Sequence, residues 1–380
     1  MKVLYDFQAF LRTKYGGVPR YFCELIQHYN LENMTSIAPR GYCRNEDYRN
    51  LYFSKRKPVN WHLRDFIVDK TYNHLHVSPA KYISGIKRSS ISQIKKGDFD
   101  IFHPTSFDSY FLEYIGKKPY VLTIYDLTYD IYPEFFPLST DVRANMHVLI
   151  ENATHLIAIS ECTKNDLITY YNVDPDCIDV VYLGSLFERY SISSSSLLDE
   201  SNNKYLLYVG ERGGYKNFYH FVNAIRSILK EDACELVCAG GGPFSGDEVK
   251  FLKSLGILHK VHQEYVSNVK LISLYQHAVA FVYPSLNEGF GLPTLEAFSC
   301  GCPVICSNTS CFPEVGGDAV IYFEPKSAQS IRNAVYKVLD DDKLRNKMIS
   351  DGYKQLKKFS WNKCAEETKR VYLKALNDSK

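Results

Sequence analysis

The sequence predicts an α/β protein in which two Rossmann-like, doubly wound domains face each other across a cleft. Short apolar segments of strand length alternate with longer amphipathic segments, which is typical of parallel sheets covered by helices. This alternation occurs twice, once on each side of a serine-rich stretch at 185–204 that has almost no hydrophobic periodicity. A length of 380 residues fits two domains of this class better than one.

The strands follow from apolar runs along each half of the chain. The first half contains such runs at 3–6, 36–38, 101–103, 120–125, 156–160 and 178–183, and the second at 205–210, 235–239, 261–263, 279–283 and 304–307. We therefore predict a first domain over 1–185, a linker over 186–204 and a second domain over 205–359. A last helix is expected within 360–380, with 365, 368, 371, 372 and 375 on one face. Ligands of such folds bind at the carboxyl ends of the strands.

Composition excludes several classes of function. A formal net charge of +2 does not fit a general nucleic-acid binder, because such proteins carry a strong basic excess. The eleven cysteines are scattered and form no CxxC pair, so we expect reduced thiols and no structural zinc site. No apolar run approaches 18 residues, and we see no signal peptide. We expect a cytoplasmic protein that is soluble or peripheral to a membrane.

The most informative segment is 288–296, which places two glutamates around a glycine-containing turn. It follows the apolar run 279–283, and Pro293 is typical of the first turn of a helix. Glycines let the backbone approach a ligand, and a helix N-terminus offers N–H donors to a diphosphate. Glu296 would suit a ribose diol, and Glu288 the hydroxyls of a second sugar. A glutamate on a turn and another on a helix surface are also common without any function.

A second loop, 210–217, links a strand to a helix and carries two cations at the same predicted edge. Lys216 and Arg212 would neutralise a departing diphosphate there, although the pair by itself is more typical of solvated surface charges. The glycine loop at 240–242 lacks the G-x-G-x-x-G spacing of dinucleotide-binding proteins, so hydride transfer is only a weak alternative. The Asp-x-Asp pairs at 98/100 and 174/176 raise the alternative of a metal-bound diphosphate, with 98/100 more typical of a loop.

The run from 283 to 325, with Glu-Gly-Phe-Gly-Leu-Pro-Thr-Leu-Glu and Pro-Glu-Val-Gly-Gly-Asp-Ala within it, resembles the retaining glycosyltransferases of family 4. The resemblance implies the GT-B fold, no essential metal and a final helix that crosses back to the first domain. It implies that Lys216 holds the donor phosphates, that the loop around Gly16 and Gly17 reaches over the donor, and that the base lies near 265–266. Tyr215 replaces the usual arginine, and we predict Arg212 as the second phosphate-binding cation. Tyr125 replaces a frequent histidine, while Asp126 keeps its place.

Together these observations predict a retaining, metal-independent hexosyltransferase of bacterial surface polysaccharide synthesis that needs no cofactor. The donor would be a GDP- or UDP-linked sugar, mannose or glucose-like, and the acceptor a glycan or lipid-linked oligosaccharide. Alternatives are a GT-B sugar-nucleotide epimerase, a phosphorylase, or a non-catalytic sugar-nucleotide-binding subunit. The predicted catalytic residues are Glu288, Lys216, Arg212 and Asp126, and the predicted donor-binding residues are Gly16, Gly17, Tyr265, Val266, Gly289, Phe290, Gly291, Leu292 and Glu296.

A basic bias remains within 51–97, where ten lysines and arginines stand against two aspartates. Aromatic residues are interleaved with these charges. A solvated helical face explains such a segment, and so does contact with anionic lipid at the inner face of a membrane, where each cation adds about 1 kcal/mol.

Overall fold

The computed structural model describes residues 1–12, 16–31, 35–37, 45, 47–48, 51, 79–137, 140–185, 187 and 204–378. Most of the predicted linker 186–204 and most of the basic segment 51–97 lie outside these ranges. The first domain is built from parallel strands and helices in alternation. Its strands are β1 (Lys2–Tyr5), β2 (Thr35–Ile37), β3 (Ile101–His103), β4 (Val121–Ile124), β5 (His155–Ala158) and β6 (Ile178–Val180). Its helices are α1 (Gln8–Arg12), α2 (Gly17–Leu31), α3 (Pro79–Lys96), α4 (Thr128–Ile131), α5 (Thr140–Asn152) and α6 (Glu161–Tyr171).

The second domain repeats this pattern. Its strands are β7 (Tyr205–Val209), β8 (Glu235–Ala239), β9 (Val261–Glu264), β10 (Ala280–Tyr283), β11 (Val304–Ser307) and β12 (Val320–Phe323). Its helices are α7 (Phe218–Lys230), α8 (Gly246–Ser254), α9 (Asn268–His277), α10 (Leu292–Ser299), α11 (Phe312–Gly316), α12 (Ala328–Leu339) and α13 (Asp342–Leu356). The last helix, α14 (Trp361–Asp378), leaves this domain.

Both sheets are parallel and doubly wound, which confirms the predicted fold class. The second sheet has the order β12-β11-β10-β7-β8-β9. In the first domain the groups β2-β1-β3 and β4-β5-β6 are joined by a parallel bridge between Phe102 and Tyr120. The order reverses between β7 and β10, and ligands of such sheets bind where the order reverses. Strand β12 had no counterpart among the predicted strands, although its sequence Val-Ile-Tyr-Phe is an apolar run.

Helix α14 packs on the first domain. Tyr372 inserts its hydroxyl between Tyr5 (3.0 Å) and His103 Nδ1 (2.6 Å), and Tyr29 donates to the carbonyl of Ala365 (2.8 Å). His103 is fully buried and also contacts Thr123 Oγ1 (2.9 Å) through Nε2. Burial lowers the pKa of His103 to about 3, so it is a neutral core residue.

The chain passes between the domains at a tight crossing. A Cβ added to Gly184 would lie 2.4 Å from the backbone nitrogen of Trp361, so only glycine fits. The Trp361 indole donates to the carbonyl of Ser185 (3.0 Å), and the Ser185 hydroxyl contacts that of Ser299 (2.7 Å). Within the described ranges, no helix is both long and apolar enough to cross a membrane.

Candidate active site

Two loops leave the second sheet at the point where its strand order reverses. One follows β7 and ends in the short 3₁₀ turn Gly214–Lys216, and the other follows β10 and ends at helix α10. Asn217 joins them, because its amide donates to the carbonyls of Pro284 (3.0 Å) and Pro325 (2.8 Å). Asn217 itself has a φ of 59°, a left-handed conformation that asparagine tolerates better than most residues. Asn217 had no predicted role.

The structure brings Lys216 and Glu288 together across these loops. Lys216 Nζ donates to Glu288 Oε1 at 2.7 Å, and the side chains are 20% and 12% exposed. Burial alone would lower the pKa of Lys216, but the charge of Glu288 and the hydrogen bonds to Glu288 and Tyr215 outweigh it, so the pKa is raised. Lys216 is therefore a permanent cation. An ammonium group has three donors, so it can bind Glu288 and an anionic ligand at the same time.

The glycine loop leads into α10 as the sequence predicted. Gly291 has a φ of 79° at the start of the helix, and Pro293 lies in its first turn. The Thr294 and Ser285 hydroxyls are buried beside this loop and have no hydrogen-bond partner. Unpaired buried hydroxyls at a helix N-terminus are suited to a polar ligand. Phe290 differs from the expectation for a donor contact, because its ring is buried between Tyr182 (6.0 Å) and Phe359 (5.6 Å) and offers only its backbone to the site.

Glu296 lies inside the second domain rather than on an open surface. Its side chain is 8% exposed and accepts a hydrogen bond from the Tyr275 hydroxyl (3.2 Å). Burial raises the pKa of Glu296 to about 7, although the Tyr275 hydrogen bond and the charge of Arg20 act in the opposite direction. The carboxyl group is thus poised between its neutral and ionised forms near neutral pH.

The first domain touches the glycine loop closely. A Cβ added to Gly289 would lie 1.6 Å from the carbonyl oxygen of Tyr125, so only glycine allows this approach. Asp126 accepts the backbone N–H of Thr128 (2.9 Å), and the Thr128 hydroxyl accepts from the Asn287 amide (2.9 Å). The Tyr125 hydroxyl is buried without a hydrogen-bond partner. Asp126 and Tyr125 therefore line the side of the cleft opposite Glu288.

The double glycine of the first domain faces the same loop. Gly16 and Gly17 stand at the start of α2, and a Cβ on Gly17 would lie 3.2 Å from a methyl carbon of Leu292. The remaining predicted donor contacts follow β9, where Tyr265 is 72% exposed and Val266 is partly buried.

Arg212 does not join the site, which corrects the prediction for this residue. Its guanidinium is 3% exposed and donates to Glu248 Oε1 (2.6 Å). It also donates to the carbonyls of Gly240 (2.9 Å), Gly241 (3.2 Å) and Gly242 (3.0 Å). A buried cation needs such partners, so Arg212 stabilises the 240–242 loop and its N–H donors are used there.

The aspartates of the two Asp-x-Asp pairs form ion pairs or hydrogen bonds with nearby protein groups. Asp98 forms an ion pair with the side chain of Lys2, and Asp100 accepts the backbone N–H of Lys2 (2.7 Å). Asp174 accepts the backbone N–H of Asp176 (3.0 Å) in a local turn. Among the described residues, no group of three or more His, Cys, Asp or Glu is arranged to hold a metal ion.

One residue without a predicted role connects the two domains. Glu314 at the start of α11 accepts backbone N–H groups of Glu161 (2.7 Å) and Cys162 (3.4 Å) at the N-terminus of α6. A carboxylate there accepts hydrogen bonds from backbone N–H groups that have no partner within the helix, and its negative charge is stabilised by the positive end of the helix dipole. Glu314 stands in the Pro-Glu-Val-Gly-Gly-Asp-Ala motif, but no local pattern indicated that its partner lies 153 residues away.

Comparison with known proteins identifies relatives of both domains. A model of "Glycosyltransferase Family 4" matches residues 15–185, and a model of "Glycosyl transferases group 1" matches 191–355. The chain is 30% identical over 264 residues to the O-antigen chain mannosyltransferase B of Escherichia coli, which covers 66% of this chain and 69% of that protein. It is 26% identical over 218 residues to an O-antigen chain mannosyltransferase of Salmonella typhimurium, covering 56% and 59%.

Solved structures share the fold over nearly the whole chain. Anabaena HepE, solved in complex with UDP and glucose, has a TM-score of 0.71 and 16% identity, with 97% of this chain and 98% of that chain covered. WaaG, a glycosyltransferase involved in lipopolysaccharide biosynthesis, has a TM-score of 0.65 and 17% identity, covering 96% and 98%.

Proposed function

As a member of glycosyltransferase family 4, this chain is a glycosyltransferase, and we propose that it transfers a hexose, mannose or glucose-like, from a GDP- or UDP-linked donor. The acceptor is a hydroxyl group of a glycan or a lipid-linked oligosaccharide in bacterial surface polysaccharide synthesis. Mannose is favoured by the two O-antigen mannosyltransferase relatives. The enzyme acts in the cytoplasm, at the inner face of the membrane, where segment 51–97 adds peripheral contact.

The observation that carries this proposal is the Lys216–Glu288 pair at the reversal point of the second sheet. The donor diphosphate binds Lys216 and the N-terminus of α10. A cation and a helix N-terminus that are fixed before reaction stabilise the charge that develops on the leaving group. Glu288 binds hydroxyls of the transferred sugar, and its carboxylate opposes the positive charge that develops at the anomeric carbon.

The remaining donor contacts follow from this placement. Glu296 accepts hydrogen bonds from the ribose diol, and the base lies beside Tyr265 and Val266. The backbone around Gly16 and Gly17 reaches over the donor, and Asp126 lines the first-domain side of the cleft.

Transfer proceeds with retention and without a covalent enzyme intermediate. The bond between the anomeric carbon and the diphosphate oxygen breaks, and the acceptor oxygen bonds to the same face of that carbon. The acceptor proton passes to the leaving diphosphate oxygen, so no protein base is needed. Holding donor and acceptor in this geometry supplies much of the rate enhancement.

A panel of sugar nucleotides tests the proposal. A donor present at 100 times its Kd should stabilise the protein by about 2.7 kcal/mol, which is measurable as a thermal shift. Donors that bind are then incubated with manno-oligosaccharides in excess EDTA, and NMR of the product should show the donor's anomeric configuration. An inverted product would reject the same-face mechanism, and activity that needs Mg²⁺ or Mn²⁺ would reject metal independence. Epimerised donor, sugar phosphate, or binding without turnover would instead support the epimerase, the phosphorylase or the non-catalytic subunit.

A further inference from the structure

A cavity separate from the cleft lies in the first domain, between α4, α5 and α6. Its volume is about 430 Å³, and its lining residues are Asp130, Arg143, Ala144, His147, Tyr170 and Tyr171. This volume falls within the range of small-molecule sites, which combine apolar walls with a few polar groups. None of the lining residues belongs to the loops that hold Lys216 and Glu288.

The polar groups of this cavity form one connected unit. Arg143 Nε donates to Asp130 Oδ1 (3.0 Å), and the Tyr171 hydroxyl donates to Asp130 Oδ2 (2.9 Å). Asp130 is 11% exposed and Arg143 is 41% exposed, so the guanidinium faces the opening. A guanidinium has five N–H donors, of which this contact uses one, and it can therefore bind neighbouring hydroxyl groups of a ligand.

The apolar part of the cavity is aromatic. Tyr170 exposes half of its largely apolar side chain. Tyr171 packs edge-on against His147, with ring centroids 5.5 Å apart. Aromatic rings bind one apolar face of a ligand and leave its polar edges to hydrogen bonds. A sugar ring has this construction, with a face of C–H groups and an edge of hydroxyls.

The charges of the site favour a neutral ligand. The Asp130 carboxylate offsets the charge of Arg143, and His147 Nδ1 lies 3.2 Å from the carboxylate of Glu151. No net positive charge is therefore left for an anionic group such as a uronate or a phosphate.

The cavity is connected to the transfer site by α4 and the segment that follows it. Asp130 lies two residues after Thr128, whose hydroxyl accepts a hydrogen bond from the side-chain amide of Asn287. Asn287 directly precedes Glu288 in the sequence. Phe136, a few residues further on, packs against Tyr215 with centroids 5.7 Å apart. These contacts link the wall of the cavity to the loops that hold Lys216 and Glu288.

We propose that this cavity binds a neutral sugar unit of the acceptor, distant from the unit that receives the transferred sugar. The inference rests on the proposed glycan acceptor and adds a subsite that measures acceptor length. Tyr170 supplies the face on which the sugar lies, and Arg143 with Asp130 binds its hydroxyls.

Binding is tested first without a donor. Saturation-transfer NMR with neutral manno-oligosaccharides of two to five units should show binding by the wild type that strengthens with length. Tyr170→Ala should remove this gain. Tyr219→Ala, which changes a tyrosine of 40% exposure in the second domain, is the matched control and should keep it. No binding by the wild type, or an unchanged gain in Tyr170→Ala, overturns the subsite, and tighter binding of oligogalacturonate overturns its neutral class.

Transfer is tested next with the same acceptors and GDP-mannose. Tyr170→Ala and Arg143→Gln should raise KM for the longest acceptor about tenfold, as expected for one lost ring or hydroxyl contact, with kcat and donor hydrolysis unchanged. An unchanged KM for long acceptors overturns the proposal. If the oligosaccharides bind through Tyr170 but no sugar nucleotide supports transfer, the subsite stands and the proposed transferase function fails.

Discussion

The carboxyl group of Glu296 should make the stability of the second domain depend on pH, and Glu296→Gln should remove this dependence. The side chain is 8% exposed, and its burial raises the pKa from the usual 4.5 to about 7. Glutamine has nearly the same shape, carries no charge and still accepts the hydrogen bond from Tyr275. The substitution therefore isolates the cost of an ionised carboxylate at this position.

The magnitude follows from the difference between the two pKa values, which is about 2.5 pH units. Since one pH unit corresponds to about 1.4 kcal/mol, the wild type should lose about 3 kcal/mol of unfolding free energy between pH 4.5 and 7. The folded protein holds this proton more tightly than the unfolded chain, so ionisation favours unfolding. The loss is therefore complete above pH 7 and absent below pH 4.5.

Urea unfolding of the wild type and Glu296→Gln at pH 5 and pH 8 measures this effect. The variant should be more stable than the wild type by about 3 kcal/mol at pH 8 and by much less at pH 5. Because all other titrating groups are shared, they cancel in the comparison. Glu366→Gln removes an exposed carboxylate and controls for the change in net charge. An equal difference at both pH values would refute a buried carboxyl with a raised pKa.

The same residue should couple nucleotide binding to pH if it accepts hydrogen bonds from a ribose diol. Such contacts favour the ionised carboxylate, so binding releases a proton, and the wild-type Kd should fall about tenfold per pH unit as pH rises toward 7. In Glu296→Gln this dependence should disappear and binding at pH 8 should weaken. Isothermal titration with GDP and UDP gives both values, and the titration of the phosphates cancels between the two proteins. A parallel pH dependence in both would exclude Glu296 from the nucleotide site.

Three further substitutions test the transfer machinery. Lys216→Ala should lower transfer at least 100-fold, because about 3 kcal/mol of leaving-group stabilisation is lost. The control Lys250→Ala, which changes an 81% exposed lysine, should leave transfer unchanged. A Lys216→Ala enzyme that keeps half of the wild-type turnover would show that Lys216 is not part of the site. Glu288→Gln should depress kcat more than it raises KM, because its contact strengthens in the transition state, and an unchanged kcat would leave Glu288 a structural loop residue. Gly289→Ala should abolish transfer by separating the two domains, visible as a larger radius of gyration in X-ray scattering. Gly85→Ala, with open space around its Cβ, is its control, and an active, compact Gly289→Ala protein would contradict the close contact with the first domain.

Local sequence determined the elements and the loops that carry the chemistry. Apolar runs fixed most strands to within one or two residues, because burial on both faces of a parallel sheet demands continuous apolar sequence. Strand β12 is the exception, since it was not predicted although its four residues, Val-Ile-Tyr-Phe, form such a run. Lys216 and Glu288 could be predicted to meet because each follows the carboxyl end of a strand, and those ends share one edge of the sheet.

Tertiary structure decided which partner each charged group has. Arg212 follows the same strand as Lys216, yet it turns to Glu248 and the 240–242 carbonyls, contacts that no local pattern encodes. Glu296 is buried inside the second domain, and this burial raises its pKa. The cavity at Asp130 and Arg143 likewise exists only once three helices pack together. Hydrophobic periodicity is a property of neighbouring residues and can be seen in the sequence, whereas burial and ion pairing depend on residues that only the folded chain brings together.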